Sequence, residues 1–240
     1  ASEFGLNARS GLEIPENSPR LSDSDGIRSA IGQGTNLFSV SQIARYMTAV
    51  ANNGTAYNLT LLDKLKDSDG NTIEDYSASV YNSIDILNTT WASIQEGLHQ
   101  VALNTSAFKG LDLSIAGKTG TTSDWFDLMF VGMNPEFVSG VWVGYKENKE
   151  IKNHWSIQSA RVWKNIIGEW IVNHYYDEDF NKQFPTCETV LASPFCQGTG
   201  KIAGLACPKG TMGYWKSTNL PWCNNYELTL GYNALEDDDE

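Results

Sequence analysis

Ile115-Ala116-Gly117-Lys118-Thr119-Gly120-Thr121-Thr122 is the stretch on which the reading of this chain turns. It starts as a short apolar strand and ends in a lysine with a run of small hydroxyl-bearing or glycine residues. Apolar residues flank it, Leu111 and Leu113 before and Phe126 to Val131 after. A cation at the end of a buried strand is costly unless it faces a cleft. Small neighbours let another backbone or a ligand approach closely. An ammonium beside hydroxyls and free N–H groups suits a carboxylate. The chemistry therefore predicts an anion-recognising strand edge. Against it stands a solvated lysine at a strand end before a turn, and local features weigh the two about equally. Lys-Thr-Gly arises by chance in a chain of this length roughly a few times in a hundred, so the surroundings must decide.

Composition narrows those surroundings. The chain has 240 residues, 41% of them hydrophobic, enough for one large domain or one domain with an appendage. Charged residues are only 19%, a proportion more usual outside the cell. The net charge of -12 and the acidic run from Glu236 to Glu240 argue against a nucleic-acid or anionic-membrane partner. The run itself reads as a solubilising end. No stretch is long and apolar enough to span a bilayer. The chain opens Ala1-Ser-Glu-Phe, without an initiator Met or signal-like segment, and is expected to be a piece of something longer. All four cysteines, Cys187, Cys196, Cys207 and Cys223, fall in the last quarter. No pair is spaced Cys-x-x-Cys and His is scarce nearby, so disulfides in an oxidising compartment are the stronger expectation and a zinc site the weaker.

Residues 1–34 are punctuated by glycine and proline and are expected to be mostly loop. Ser39-Val-Ser-Gln42 fits a capping box opening a helix with Ile43, Met47, Val50 and Ala51 on one face, and Asn53-Gly54 ends it. Tyr57 to Leu65 predicts a strand, Asp67-Ser-Asp-Gly70-Asn a turn, and Thr72 to Tyr76 its return. Asp67, Asp69 and Asn71 match part of a calcium loop, but the residues after Asn71 lack the rest of that pattern, so a polar hairpin turn is expected. A second helix is predicted from Asn88 to Leu103, with Trp91, Ile94, Leu98 and Val101 recurring on one face and His99 as a half-buried structural residue. Leu111 to Ile115, Phe126 to Met133 and Phe137 to Tyr145 suggest an antiparallel meander of about three strands. A third helix, Ser156 to His174, would pack Ala160, Trp163, Ile167, Trp170 and Ile171 against it. Residues 175–240 lose this periodicity, so a boundary is expected at 174, with a small loop-rich extension after it. The fold class expected is α+β, an antiparallel sheet flanked by helices, with a small Cys-containing C-terminal appendage.

In this order the residues resemble the C-terminal half of the transpeptidase domain of penicillin-binding proteins, over roughly residues 1–172. Four stretches carry the likeness. Phe4-Gly-Leu-Asn-Ala-Arg-Ser-Gly11-Leu-Glu-Ile-Pro15 resembles the segment after the family's middle motif. Ile31-Gly-Gln-Gly34, Ser39-Val-Ser-Gln-Ile-Ala44 and Ala51-Asn-Asn-Gly54 resemble its Gly-Gln-Gly turn and helix. Ala116-Gly-Lys-Thr-Gly-Thr-Thr122 matches its third catalytic motif. Phe130-Val-Gly132 and Gly140-Val-Trp-Val-Gly144 resemble the strands that come after it. The Gly-Gln-Gly turn is more similar to class B members, the Trp-Val-Gly strand and Cys-bearing tail to some of class A, and the balance falls to class B.

The family's other two motifs, Ser-x-x-Lys and Ser-x-Asn, should precede all of this. Ser106-Ala-Phe-Lys109 and Ser217-Thr-Asn219 fit those patterns but stand at the wrong places in the order, and patterns of two fixed residues are common by chance. The resemblance thus implies part of a serine D,D-transpeptidase that cross-links peptidoglycan stem peptides through an acyl-serine and is acylated by penicillins. Its partners would be the D-Ala–D-Ala stem peptide, β-lactams and the missing N-terminal part of the same protein, on the extracytoplasmic face of the cell membrane, anchored by a segment not present here. Lys118 and Thr121 would be its catalytic-site residues. Lys118 would sit by the substrate carboxylate, and Thr119 and Gly120 would continue an edge along which the substrate adds as a strand. Thr121 would offer its hydroxyl to the carboxylate and its N–H to the oxyanion hole, with Thr122 standing behind them. The nucleophile would come from elsewhere, so the chain alone is expected to be inactive. The alternatives are a non-catalytic binding or scaffold module of the cell-wall machinery that has lost the nucleophile, and a serine β-lactamase, against which the Gly-Gln-Gly stretch and long tail argue. No motif asks for a cofactor or a metal.

Overall fold

A computed structural model describes residues 1–22, 24, 26–175, 183–184 and 188–224. The chain separates into two compact units, Ala1–Pro185 and Thr186–Glu240. In the first, β5 (Ala116–Thr121), β6 (Asp127–Met133) and β7 (Val138–Gly144) form an antiparallel meander in that order. The pleat sends alternate residues of β6 to opposite faces. Val131 and Met133 join Ala116, with Met47 and Val50 of helix α2 (Val40–Ala51) and Trp91 of helix α3 (Asn88–Leu103), in one buried cluster. Phe130 joins Ile115, Phe108, Ala160 and Trp163 in another. There the three rings pack edge-on or tilted at centroid distances of 5.1 to 5.9 Å. The sheet is thus covered by helices on both faces, in line with the α+β expectation.

The capping box at α2 is present: the Ser39 hydroxyl accepts from the Gln42 N–H and the Gln42 side chain accepts from the Ser39 N–H. Glu16 adds a carboxylate to this helix N-terminus. It accepts the Ser39 hydroxyl at 2.5 Å, the Ser41 hydroxyl, and the Ser10 N–H at 2.6 Å. Partial burial works to raise the pKa of Glu16, but the Ser39 and Ser41 hydroxyls and the Ser10 amide outweigh it and leave it below the ordinary value. A depressed carboxyl pKa stabilises the fold above the ordinary Glu range, and the gain is lost as pH falls through the folded value. Glu16→Gln is therefore expected to destabilise at neutral pH and to converge with the native chain at acid pH, once the folded carboxyl is protonated, read from urea midpoints. An equal gap at both pH values would mean the charge contributes nothing.

Several elements depart from expectation, each for a local reason. The strand predicted from Tyr57 to Leu65 is broken: β1 (Thr55–Tyr57) pairs with β4 (Val80–Ser83), and β2 (Lys64–Lys66) pairs with β3 (Thr72–Asp75). Between them the chain turns aside to the N-terminal segment, Leu59 N–H donating to Ser10 O at 3.0 Å and Leu61 N–H to Glu13 at 2.9 Å. The Asp67 turn is a polar hairpin, its carboxylate taken up by the N–H groups of Asp69 and Asn71 and the Asn71 amide. In α3, Ile94 is exposed and Gln95 is buried instead, donating to Val50 O at 2.8 Å and Asn53 Oδ1 at 3.0 Å, which ties α3 to the end of α2. The third helix runs as α4 (Gln158–Trp163), a π turn (Lys164–Gly168) and α5 (Glu169–His174). The extra residue of the π turn rotates the face after it, so Ile171 is buried and Trp170 is 44% exposed.

The second unit is built on a hairpin, β8 (Val190–Cys196) with β9 (Lys209–Lys216). The paired cysteines expected from the sequence are not found among the described residues. Cys196, Cys207 and Cys223 are free, and their Sγ atoms all lie within 4.8 Å of one another. Cys187 lies outside the described residues. Hydrogen bonding from the Thr199 side chain lowers the Cys196 thiol to about 6, while its bond with Cys223 raises that of Cys207.

Candidate functional site

Strand β5 carries the whole motif. Lys118 is its third residue and not, as the sequence suggests, the end of a strand laid down by Leu111 to Ile115, which are irregular. Pairing is Gly117↔Gly132, Lys118↔Val131, Thr119↔Phe130, Gly120↔Met129 and Thr121↔Leu128. The next pair exchanges a bond, Thr122 N–H donating to Asp127 O at 3.1 Å. Since bonded and non-bonded pairs alternate in an antiparallel ladder, Gly120 and Lys118 also point their backbone groups at β6. Thr119 and Thr121 therefore turn both N–H and C=O away from it. Within the described sheet β5 pairs on that one side only, so this is an open edge.

The open stretch is bracketed. At its start the His99 Nδ1–H donates to Ile115 O at 2.6 Å, the carbonyl fixing which ring nitrogen carries the proton. At its end the Gln33 side-chain amide donates to Thr121 O at 3.2 Å. Between them the Lys118 ammonium, on an exposed residue, folds back onto Thr119 O at 2.9 Å. Both outward carbonyls are thus held by side-chain donors.

Side-chain parity divides the motif. Lys118 and Gly120 share a face with Ala116 and Val131, whereas Thr119 and Thr121 share one with Phe130. Lys118 and Thr121 meet along the edge, not on a common face. Thr122 takes no part in that edge: its hydroxyl accepts the N–H groups of Phe126 and Asp127, both at 3.0 Å, and holds the β5–β6 turn. The two glycines of the motif differ in kind. A Cβ on Gly117 would lie 2.5 Å from the Phe130 ring and 2.6 Å from Val131 O, so that glycine is required by packing. A Cβ on Gly120 would meet only Met129 Cβ, at an ordinary 3.6 Å. The fold has room for a side chain at Gly120, so packing does not require glycine there.

The sequence singles out Gly32-Gln33-Gly34 but gives Gln33 no role of its own. Its signal is the glycine pair, since both adopt positive φ, 79° and 86°, and hold Gln33 out from a tight turn. A pocket of about 310 Å³ opens beside this contact, lined by Ser24, Arg28, Gln33, Gly34, Thr35 and Ser123, with Arg28 bringing a second cation near the end of β5. Ser106 opens a 3-10 turn whose Phe108 is core, and Ser217-Thr-Asn219 belongs to the second unit.

Comparison with known proteins shows the family to which the chain belongs. The family model for the penicillin binding protein transpeptidase domain matches residues 1–167. Penicillin-binding protein 1A of Aquifex aeolicus is 29% identical over 185 residues, covering 72% of this chain and 25% of that protein. The crystal structure of penicillin-binding protein 1A from Haemophilus influenzae superposes with a TM-score of 0.60 at 14% identity, over 80% of this chain and 34% of that one. Penicillin-binding protein 2B from Streptococcus pneumoniae (strain 5204) gives 0.56 at 24% identity, over 72% and 30%. The chain spans about a quarter of the length of the curated relatives it matches. Both 1A and 2B proteins are among the matches, so the likeness runs to both classes.

Proposed function

The chain belongs to the penicillin-binding protein transpeptidase family, and from that membership we propose that it forms the substrate-binding half of a peptidoglycan D,D-transpeptidase site. The observation that carries the proposal is the open edge of β5. Two outward N–H and two outward C=O groups, on Thr119 and Thr121, flank Gly120 in the order an antiparallel peptide strand needs. The Lys118 ammonium leaves Thr119 O and takes the stem peptide's terminal carboxylate. The acyl-donor carbonyl lies against Gly120, where no Cβ intrudes. The Thr121 N–H points at the oxygen that becomes negative in the tetrahedral intermediate, and the Thr121 hydroxyl helps hold the carboxylate.

These groups bind and polarise, and the attack comes from a serine that this chain does not supply. That serine's Oγ bonds to the D-Ala carbonyl carbon, the terminal D-Ala leaves as an amine, and a neighbouring stem's amine then takes the acyl group. A β-lactam acylates the same serine through the same strand edge. In this reading residues 1–174 are the C-terminal half of the transpeptidase domain and 175–240 an extension. The intact protein works on the extracytoplasmic face of the membrane, held by a segment outside this chain.

Fluorescent penicillin tests the reading. The chain alone is expected to remain unlabelled. Joined to a family N-terminal half bearing Ser-x-x-Lys and Ser-x-Asn, it is expected to label at one equivalent, and Lys118→Ala to slow that labelling. Stoichiometric labelling of the chain alone would show that it holds its own nucleophile. Stem-peptide binding that never becomes acylation in the joined protein would favour the non-catalytic scaffold.

A further inference from the structure

The second unit is too thinly cored to explain its own order. Among its described residues the buried apolar ones are Cys196, Ile202 and Cys223, and two of those three are thiols. A small unit with so little apolar burial needs a covalent or metal staple. Three cysteines arrive at one point from three separate segments. Cys196 ends β8, Cys207 comes after the turn at Gly204, and Cys223 comes after Trp222. Ile202 links two of these segments, bridging Phe195 on one side and Trp222 on the other.

We propose that Cys196, Cys207 and Cys223 are three thiolate ligands of a zinc ion that staples this unit. The distances favour a metal over a disulfide. Sulfurs about 2.3 Å from a tetrahedral zinc stand about 3.8 Å apart, whereas a disulfide needs about 2.05 Å. Three Sγ atoms within 4.8 Å of one another need contract by about 1 Å at most to share an ion. A disulfide within this cluster would use two of the three described sulfurs, whereas a metal takes all three.

The backbone brings N–H donors to two of the three sulfurs. Cys196 starts a tight turn in which the Gly200 N–H donates to Cys196 O at 2.8 Å and the Cys196 N–H to Lys201 O at 2.6 Å. That turn aims the N–H groups of Gly198 and Thr199 at the Cys196 sulfur, and the Gly204 N–H bonds the Cys207 sulfur. Such outer donors fix thiolate ligands in metal sites. Cys223 is held by its own N–H on Ile202 O at 2.9 Å. A Cβ on Gly204 would lie 3.2 Å from Cys223 O, a tight approach, and at an ordinary 3.7 Å from the Cys207 sulfur. On binding, each thiol gives its proton to solvent as a metal–sulfur bond forms, and no oxidant or reductant is involved. Among the described residues these three sulfurs fill three positions and leave the fourth open.

The experiment uses the whole chain, without a metal-binding tag and purified without chelator. One equivalent of zinc by mass spectrometry is expected to survive dialysis. Chelation is expected to free three thiols to a thiol reagent, and cobalt(II) reconstitution to give a thiolate-to-cobalt charge-transfer band in the unmodified chain. Cys207→Ser and Cys223→Ser are each expected to hold less than about a tenth of the metal. A metal-free chain, whether its thiols are free or two have joined in a disulfide detected by intact mass, overturns the proposal. So does metal content that both variants retain. The cobalt spectrum keeps the test decisive if a variant fails to fold.

Discussion

Thr121→Pro is expected to lower the rate of penicillin acylation by about two orders of magnitude in the joined, serine-bearing protein, with little change in the melting temperature of the domain. The register is the reason. The Thr121 N–H belongs to a non-bonded pair and faces away from β6, so proline removes no ladder bond. An edge position with its N–H outward is where sheets accept proline. What proline removes is the one donor proposed to meet the developing oxyanion. Thr121→Val separates this from the hydroxyl: it keeps the N–H and is expected to cost about tenfold through the lost bond to the carboxylate. If valine costs as much as proline, the hydroxyl and not the amide is the important group. If proline leaves the rate unchanged, the oxyanion is stabilised elsewhere.

The same register shows how far the sequence can be read. The Lys-Thr-Gly motif, the capping box at Ser39 and the meander are legible because each depends on neighbours in sequence. The break within Tyr57 to Leu65 is not, because Leu59 and Leu61 answer to Ser10 and Glu13, far off in the chain. Periodicity places Trp170 inside because it assumes a regular helix, and the π turn before it shifts the phase. Gln33 is visible as a motif letter, but its contact with Thr121 crosses 88 positions. The cysteines mislead for the same reason: spacing argues against a metal, and three distant segments nonetheless converge.

Arg45 is the residue the sequence hides most completely, and its loss is expected to be the costliest single change to the fold. It sits in α2 among Met47 and Val50, 1% exposed, where helix periodicity allows an apolar residue. Its guanidinium instead reaches the N-terminal segment, donating to Arg9 O at 2.6 Å, Ala8 O at 2.9 Å and Gly5 O, with the Tyr81 ring 4.4 Å from its central carbon. Gly5 has a φ of 77°, and a Cβ there would lie 2.7 Å from the guanidinium, so the turn and the cation fit only together. Arg45→Met fills the apolar stem but takes the guanidinium donor from Ala8 O and Arg9 O, while Gly5 O keeps the Ala8 N–H; a carbonyl left without a partner costs about 1–3 kcal/mol. A loss of about 3–5 kcal/mol is expected from urea unfolding, a large share of the stability of a domain this size. Arg45→Lys, with a point charge and a shorter reach, is expected to recover only part of it. Coupling to Gly5 provides the stricter check. Gly5→Ala carries both a backbone cost and the clash with Arg45. In the Arg45→Met background only the backbone cost of about 1 kcal/mol should remain. Additive losses from the two changes would show that the guanidinium does not organise the turn.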